Sequence, residues 1–350
     1  DLKHRKATRY QIKNLEPQIF AKFARIAANE LNVQLNEVPQ AFMKNQFSPS
    51  RLSDLSQCAY RYFAKNELHL SERPSWESRK TQAKGNFFHV VLYEFYKQLI
   101  AQPNWATLES GALSQQIQIV FDQVLAQPDH HWLAGEKLNI RLEKDHMQKT
   151  LLQFLETDHA RLMQRGLKPL LLESELKATF KTEHLNLVLT GKMDRVDQAA
   201  SGEYLLRDYK TGWTFKSEKI KTGQALQIPT YLYLLAKQYG ISKIIGGEIY
   251  AIQSDKPNGI YCESAKTLLP DLKSRKNIIY LNPEDFENFL TSYEKYVAEL
   301  IHTRRNAGVT IHPKSCDYCE YAALCRYQGW MEKFISQEAL AEVIPLGVGA

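Results

Sequence analysis

Between Pro169 and Thr211 the chain alternates apolar and polar residues with a period of two, as at Leu185, Leu187 and Leu189, the pattern of strands with one buried face. Ala199-Ala200-Ser201-Gly202 interrupts it with a turn, between a strand ending near Asp197 and another from Glu203 to Lys210. A β-meander therefore occupies the middle of the chain, and helical spacing surrounds it. Upstream, Ser48-Pro49 supplies an N-cap and a proline for the first helical position, which predicts a helix through Leu52, Leu55, Tyr62 and Phe63 with Cys58 on it. A second helix carries Phe87, Phe88, Val91, Leu92 and Phe95, and helical material continues from about 113 to 165. Downstream come an amphipathic helix over about 223–238 closed by Gly240, and a strand over about 243–253. Asn282-Pro283-Glu284-Asp285 then starts a helix with an N-cap, a proline and acidic residues at the positive end of the dipole. The predicted class is α/β, a mixed central sheet flanked by helices. Ile19, Phe20, Phe23 and Ile26 give residues 10–45 a helical spacing as well, and residues 1–46 are read as a helical segment or linker without an assigned function.

With 350 residues, 44% of them apolar, the chain can bury one large core or two small ones. A net charge of +6 and a pI near 8.8 suit a polyanionic partner without requiring one. No apolar run approaches the roughly 20 residues that cross a bilayer, and Asp1 to Arg9 is too charged for a signal peptide, so the expected location is the cytoplasm with no membrane contact. The first residue is not Met, as in a domain cut from a longer protein or a chain that has lost a tag.

Chemistry concentrates in the meander, where Gly191-Lys192-Met193-Asp194-Arg195-Val196-Asp197 precedes Arg207-Asp208-Tyr209-Lys210-Thr211-Gly212. Two residues apart on one strand, Asp208 and Lys210 project from the same face and Tyr209 from the other. With Asp194 on the neighbouring strand, two carboxylates and an ammonium converge. Two carboxylates repel unless a cation intervenes, and Mg²⁺ favours such oxygen ligands. Taken alone, an Asp and a Lys at this spacing read more readily as a structural ion pair than as a metal site. Three of the five cysteines fall within ten residues, Cys316-x2-Cys319-x5-Cys325, and a metal explains that clustering better than disulfides do.

Six segments in order, FSPSRLSDLSQCAYRYF, KGNFFHVVLYEF, GKMDRVD, RDYKTG, QIPTYLYLL and CDYCEYAALC, span about residues 47–326. In them the chain resembles the RecB-like branch of the PD-(D/E)xK nucleases, in particular its iron-sulfur members of the AddB nuclease-domain type. The resemblance implies a restriction-endonuclease-like fold over 47–335, with a helical insertion at about 96–168 and a C-terminal tail over 336–350. It implies that His89, Asp194, Asp208 and the backbone carbonyl of Tyr209 bind Mg²⁺ or Mn²⁺. Lys210 becomes the catalytic lysine, with Asp194, Asp208, Gln227 and Tyr231 beside it in the catalytic set. Without the resemblance, Gln227 reads as solvated, Tyr231 as packing, and His89 as a satisfied histidine on an apolar helix.

The same family carries one early cysteine and three late ones, which implies a 4Fe-4S cluster on Cys58, Cys316, Cys319 and Cys325, stapling the predicted helix 48–66 to the C-terminal segment. Zinc remains the alternative, although structural zinc sites usually pair their ligands locally. Ala59 departs from the family, which usually has proline after the first cysteine, and the change is expected to leave the cluster intact. Cys262 is left as a thiol outside the ligand set, and Tyr318, Tyr321, Tyr327 and Trp330 as packing around the cluster rather than base-stacking platforms. The implied activity is metal-dependent hydrolysis of DNA phosphodiesters, as an exonuclease in repair, recombination or end processing. The alternative is a catalytically silent, iron-sulfur DNA-binding module of a helicase-nuclease complex. No G-x4-G-K-[ST] motif occurs, so an ATP-driven motor would belong to a helicase subunit or to a preceding helicase-like region.

Overall fold

The meander forms the centre of a mixed sheet in a computed structural model that describes residues 10–11, 45–133, 138–181, 186–212, 216–253, 256–272, 277–306, 316 and 319–325. Its strands are β1 (Gln46–Phe47), β2 (Leu167–Lys181), β3 (Asn186–Ala199), β4 (Tyr204–Lys210), β5 (Ile244–Ala251), β6 (Lys256–Cys262) and β7 (Ile278–Leu281). The main helices are α1 (Pro49–Gln57), α2 (Trp76–Ile100), α3 (Ser110–Leu125), α4 (Leu138–Arg165), α5 (Gln227–Tyr239) and α6 (Pro283–Asn306). Antiparallel pairing joins β2 to one edge of β3, from Leu167 against Ala199 to Lys181 against Asn186. The other edge of β3 is divided. β1 runs parallel to it at Val188 and Leu189, β4 runs antiparallel at Arg195 to Gln198, and residues 190–194 have no strand partner on that side. Beyond β4 the sheet continues with β5 parallel, β6 antiparallel to β5 and β7 parallel to β6.

Period-two alternation in β4 sends Leu206 to one face and Leu205 and Tyr209 to the other. The first face is covered by α1, α5 and α6 through residues such as Leu52, Leu232, Phe289 and Val297. The second is covered by α2, α3 and α4 through Phe88, Val120, Leu151 and Phe154. Each such side chain contributes about 1.5–3 kcal/mol by leaving water. Among the described residues no helix is long and apolar enough to cross a membrane.

The helix predicted through Phe63 is two helices. α1 starts as expected, with the Ser48 hydroxyl accepting the Arg51 N–H at 3.4 Å. Cys58, placed on the helix by sequence, is instead an extended residue at φ −165° and ψ 122°, and the chain re-enters a helix at Ala59–Tyr62. Two destinations force the break: Leu52, Leu55 and Tyr62 enter the main core, whereas Cys58, Tyr60 and Ala64 enter a separate small core with Leu68, Leu70 and Tyr321. Ala59 takes the first position of the new helix, where a proline is equally at ease, so the departure there leaves the backbone undisturbed. α5 likewise begins at Gln227 rather than near 223, because Gly223, at φ 70°, terminates the short helix Ser217–Lys221. β1, β6 and β7 escape the sequence pattern; they are short and carry little alternation. Leu185, the helical reading of Ile19, Phe20, Phe23 and Ile26, and the tail 336–350 lie outside the described residues.

Candidate active site

The β3–β4 ladder ends at Arg195 against Arg207, and just beyond it a side chain takes over from the backbone. Asp194 Oδ2 accepts the Tyr209 N–H at 2.7 Å. Its Oδ1 lies 3.3 Å from Nδ1 of His89 on α2, and Glu173 Oε1 of β2 lies 3.8 Å from the same nitrogen. His89, Glu173 and Asp194 each offer a ligand atom within 4.8 Å of the others, a set suited to a divalent cation. Burial works against a charge on His89, but Asp194 and Glu173 outweigh it and raise the imidazole to about 10. Burial would also raise Glu173, yet hydrogen bonds from His89 and Lys192 hold it below its usual range.

Glu173 was missed by sequence reasoning. Its neighbours Leu172 and Ser174 pair with Arg195 and Met193, so the register sets it opposite Asp194. It sits there at φ 46°, a left-handed conformation that costs a non-glycine residue about 1–3 kcal/mol and persists where surroundings enforce it. The only sequence trace is a carboxylate directly after three leucines in the strand.

Asp208, predicted beside Asp194, is 2% exposed and stands outside that trio. Lys210 Nζ lies 2.7 Å from its Oδ2, and Gln227 Nε2 donates to its Oδ1 at 2.7 Å. Burial raises the Asp208 carboxyl to about 6, with Lys210 opposing the rise and Asp194 adding to it. Burial lowers Lys210, but Asp208 more than reverses this and the ammonium is held above its ordinary value. Gln227 also reaches the Tyr231 hydroxyl at 3.4 Å, so the two residues four apart on α5 share one face and point at the site. Gly191 makes room for them, since a Cβ there would lie 2.7 Å from the Tyr231 ring. The Tyr209 side chain faces away, with its ring 5.8 Å from Phe154.

Behind the carboxylates lies a fully buried set of charges. Arg195 meets Asp158 at 2.7 Å and Asp197 at 2.8 Å, while Arg207 meets Asp158, Asp197 at 2.9 Å and Glu248 at 3.5 Å. Arg165 meets Glu248 at 2.8 Å and carries the network on to the partly exposed Asp271, also at 2.8 Å. Asp271 apart, all six side chains are 0% exposed, and their three positive charges balance their three negative ones. The strands thus carry Asp194 beside Arg195 and Arg207 beside Asp208, with the site in front and the ion network behind.

Of the predicted thiolate ligands, Cys58 is buried, and Cys319 and Cys325 pack against the same small core. Burial raises the Cys319 thiol, and Cys58 adds to the rise. The Cys316 carbonyl accepts the Cys319 N–H at 3.1 Å, and all five cysteines are free thiols. Cys58, Cys319 and Cys325 thus border one small core without disulfides, whereas among the described residues the group of metal-ligating side chains gathered within 4.8 Å is His89, Glu173 and Asp194. Cys262 sits apart in the main core. Tyr321 is a packing residue, fully buried and donating its hydroxyl to the Leu70 carbonyl at 2.9 Å. Tyr318, Tyr327 and Trp330 lie outside the described residues.

The family model described as "PD-(D/E)XK nuclease superfamily" matches residues 46–326. The chain is similar to an ATP-dependent helicase/deoxyribonuclease subunit of Lactococcus lactis subsp. cremoris (strain SK11), at 23% identity over 82% of this chain and 30% of that protein. It is similar to the protein of the same description from Moorella thermoacetica, at 30% identity over 53% of this chain and 17% of that protein. The chain therefore spans less than a third of the length of these curated relatives. Among solved structures it is similar to one described as "Crystal structure of SSO0001", at 14% identity and a TM-score of 0.32, covering 88% of this chain and 96% of that one.

Proposed function

Since this chain belongs to the PD-(D/E)XK nuclease superfamily, we propose that it is a divalent-metal-dependent deoxyribonuclease, acting as an exonuclease in DNA repair or recombination. The observation that carries this reading is the meeting of His89, Glu173 and Asp194 with the Asp208–Lys210 pair at the fork of β3 and β4. His89, Asp194, Asp208 and the Tyr209 carbonyl, joined by Glu173, would hold Mg²⁺ or Mn²⁺. Bound there, such a cation makes hydroxide available near neutral pH and neutralises charge on the phosphoryl oxygens. Lys210 orients the attacking water or stabilises the charge that builds on the phosphate. Gln227 fixes the Asp208 carboxylate through its 2.7 Å hydrogen bond, and Tyr231 fixes Gln227.

The nuclease domain is taken as 47–335, with 96–168 as its helical insertion. The four thiols would hold a 4Fe-4S cluster, and a helicase, as a separate polypeptide or a region of the same protein, is the proposed partner. Support for that partner is the helicase named in the descriptions of the relatives.

Cleavage of labelled single- and double-stranded DNA with Mg²⁺ or Mn²⁺ tests the reading. Asp208→Ala and Lys210→Ala should each lower the rate by on the order of 100-fold or more, with circular dichroism unchanged. Activity in either variant close to the parent's would sink the assignment. DNA binding without cutting by the parent would leave the binding module instead.

A further inference from the structure

We propose that the open edge of β3 beside the carboxylates binds a second DNA phosphate, adjacent along the strand to the one that is cut. This rests on the nuclease reading for its ligand and goes beyond it in naming a site. The opening has a cause in sequence. Continued by one step, the parallel ladder of β1 and β3 would need the amide of Pro49, which has no hydrogen to donate, so pairing stops at Leu189 and resumes with β4 at Arg195. Into that gap opens a groove of about 430 Å³ that runs up to Gln227 and Tyr231.

The donors lining this groove suit a phosphate. Thr190 is 8% exposed, and among the described residues nothing bonds its hydroxyl. The hydroxyl is not among the sealed, unpartnered polar atoms of the fold, so it is open to the groove and able to donate to a ligand oxygen. Lys192 lies on the boundary between this groove and a larger one of about 900 Å³ on the His89 side, with its Nζ held 2.6 Å from Glu173. A strand crossing from one groove to the other passes both Lys192 and the carboxylates. At the far wall α1 begins, and the positive end of its dipole is joined by the hydroxyls of Ser48 and Ser50, 3.0 Å apart. The one carboxylate on the rim, Glu175, is paired with Lys177 at 3.4 Å. Tyr231 is the only aromatic ring in the lining, and Gln227 already engages it, so the groove offers donors rather than a stacking platform for a base.

The ligand is either an internal phosphodiester or a terminal phosphate, and one binding series separates them. Affinity for a short labelled single strand is measured in Ca²⁺ over a range of salt, for the parent, Thr190→Val and Lys192→Met. Lys192→Met should lower the slope of log affinity against log salt by about 0.7–0.9. Thr190→Val should weaken binding by about twofold to tenfold, from the loss of one hydrogen bond. Should Thr190→Val fail to fold, Ser50→Ala, at an exposed hydroxyl, carries the same readout. A neutral methylphosphonate next to the scissile position should cost Thr190→Val less than it costs the parent and should erase the difference in salt slope between the parent and Lys192→Met, which identifies an internal phosphodiester. If removing a terminal phosphate reproduces the loss instead, the site holds a strand end. Affinity and salt slope unchanged in all the variants overturn the proposal. Cutting by the parent, lost in Asp208→Ala, then leaves the nuclease reading standing without this site. A parent that never cuts but binds through Thr190 and Lys192 keeps the site and loses the nuclease.

Discussion

The two carboxylates beside His89 favour its protonated ring, and a metal ion bound to that ring would have to displace the proton. Burial disfavours the charged ring, but Asp194 and Glu173 raise it to about 10, and burial raises Asp208 to about 6. With His89 as a ligand, Mn²⁺ affinity should therefore climb by about tenfold per pH unit between about pH 7 and pH 9. Below about 6 it should climb more steeply, because Asp208 must then lose a proton too. A Mn²⁺ titration followed by electron paramagnetic resonance checks this; a flat affinity across the upper range removes His89 from the ligand set. Gly191→Ala tests the other side of the site, since its new methyl group would meet the Tyr231 ring at 2.7 Å and Leu234 at 2.9 Å. Overpacking of this kind costs about 1–3 kcal/mol, and a thermal melt together with a cleavage rate should show both a lower melting temperature and a lower kcat. At this scale period two set Asp208 and Lys210 on one face, but by spacing alone they read as an ion pair, Gln227 as solvated and Tyr231 as packing, and it was the family resemblance that singled out all four. Glu173 escaped both, because its role depends on a left-handed backbone in mid-strand that no spacing rule anticipates.

Two strands carry the candidate chemistry, and a helix braces them. Asp158 of α4 accepts from Arg195 and Arg207, the residues next to Asp194 and Asp208, so the position of the carboxylates in front depends on an ion network behind. Asp158→Ala leaves two buried guanidinium groups short of a partner and should cost about 3–5 kcal/mol in a denaturant melt at neutral pH. The acid dependence has a definite sign. Burial alone would raise Asp158, but Arg195 and Arg207 hold it well below the usual carboxylate range. The unfolded chain thus takes up a proton that the folded one refuses, and this contribution, complete above about pH 4, is lost as the pH falls below it. The variant should accordingly lose less stability than the parent between neutral and acid pH. None of this network could be read beforehand, since in a helix such as ETDHARL a buried aspartate and a solvated one look alike. The meander was readable because alternation reports burial directly, whereas the split at Cys58 was not, because one helical period cannot reveal that its residues serve two cores.

Two helical layers enclose the sheet, and the ends of the described fold meet beside it at Cys58, Cys319 and Cys325. If these thiols hold iron, anaerobic protein should be brown. Cys58→Ala should be colourless and less stable by about 3–5 kcal/mol, the size of a crosslink closing a long loop, while Cys262→Ala should keep the colour. A colourless parent with stoichiometric zinc would refute the iron assignment. The family resemblance made this long-range meeting foreseeable, and local spacing alone would not have joined a cysteine near residue 60 to three beyond 315. The meeting also sets a timetable. Tyr321 bonds to Leu70 across 251 positions of chain, and every strand of the sheet except β1 is encoded between them. At about 5–20 residues per second, Cys58 leaves the ribosome on the order of ten to fifty seconds before Cys325. If the four thiols hold a metal, the early one must stay reduced and unclaimed throughout that interval, and loading of such a centre would fall at the end of biogenesis, open only to a chain translated through Cys325.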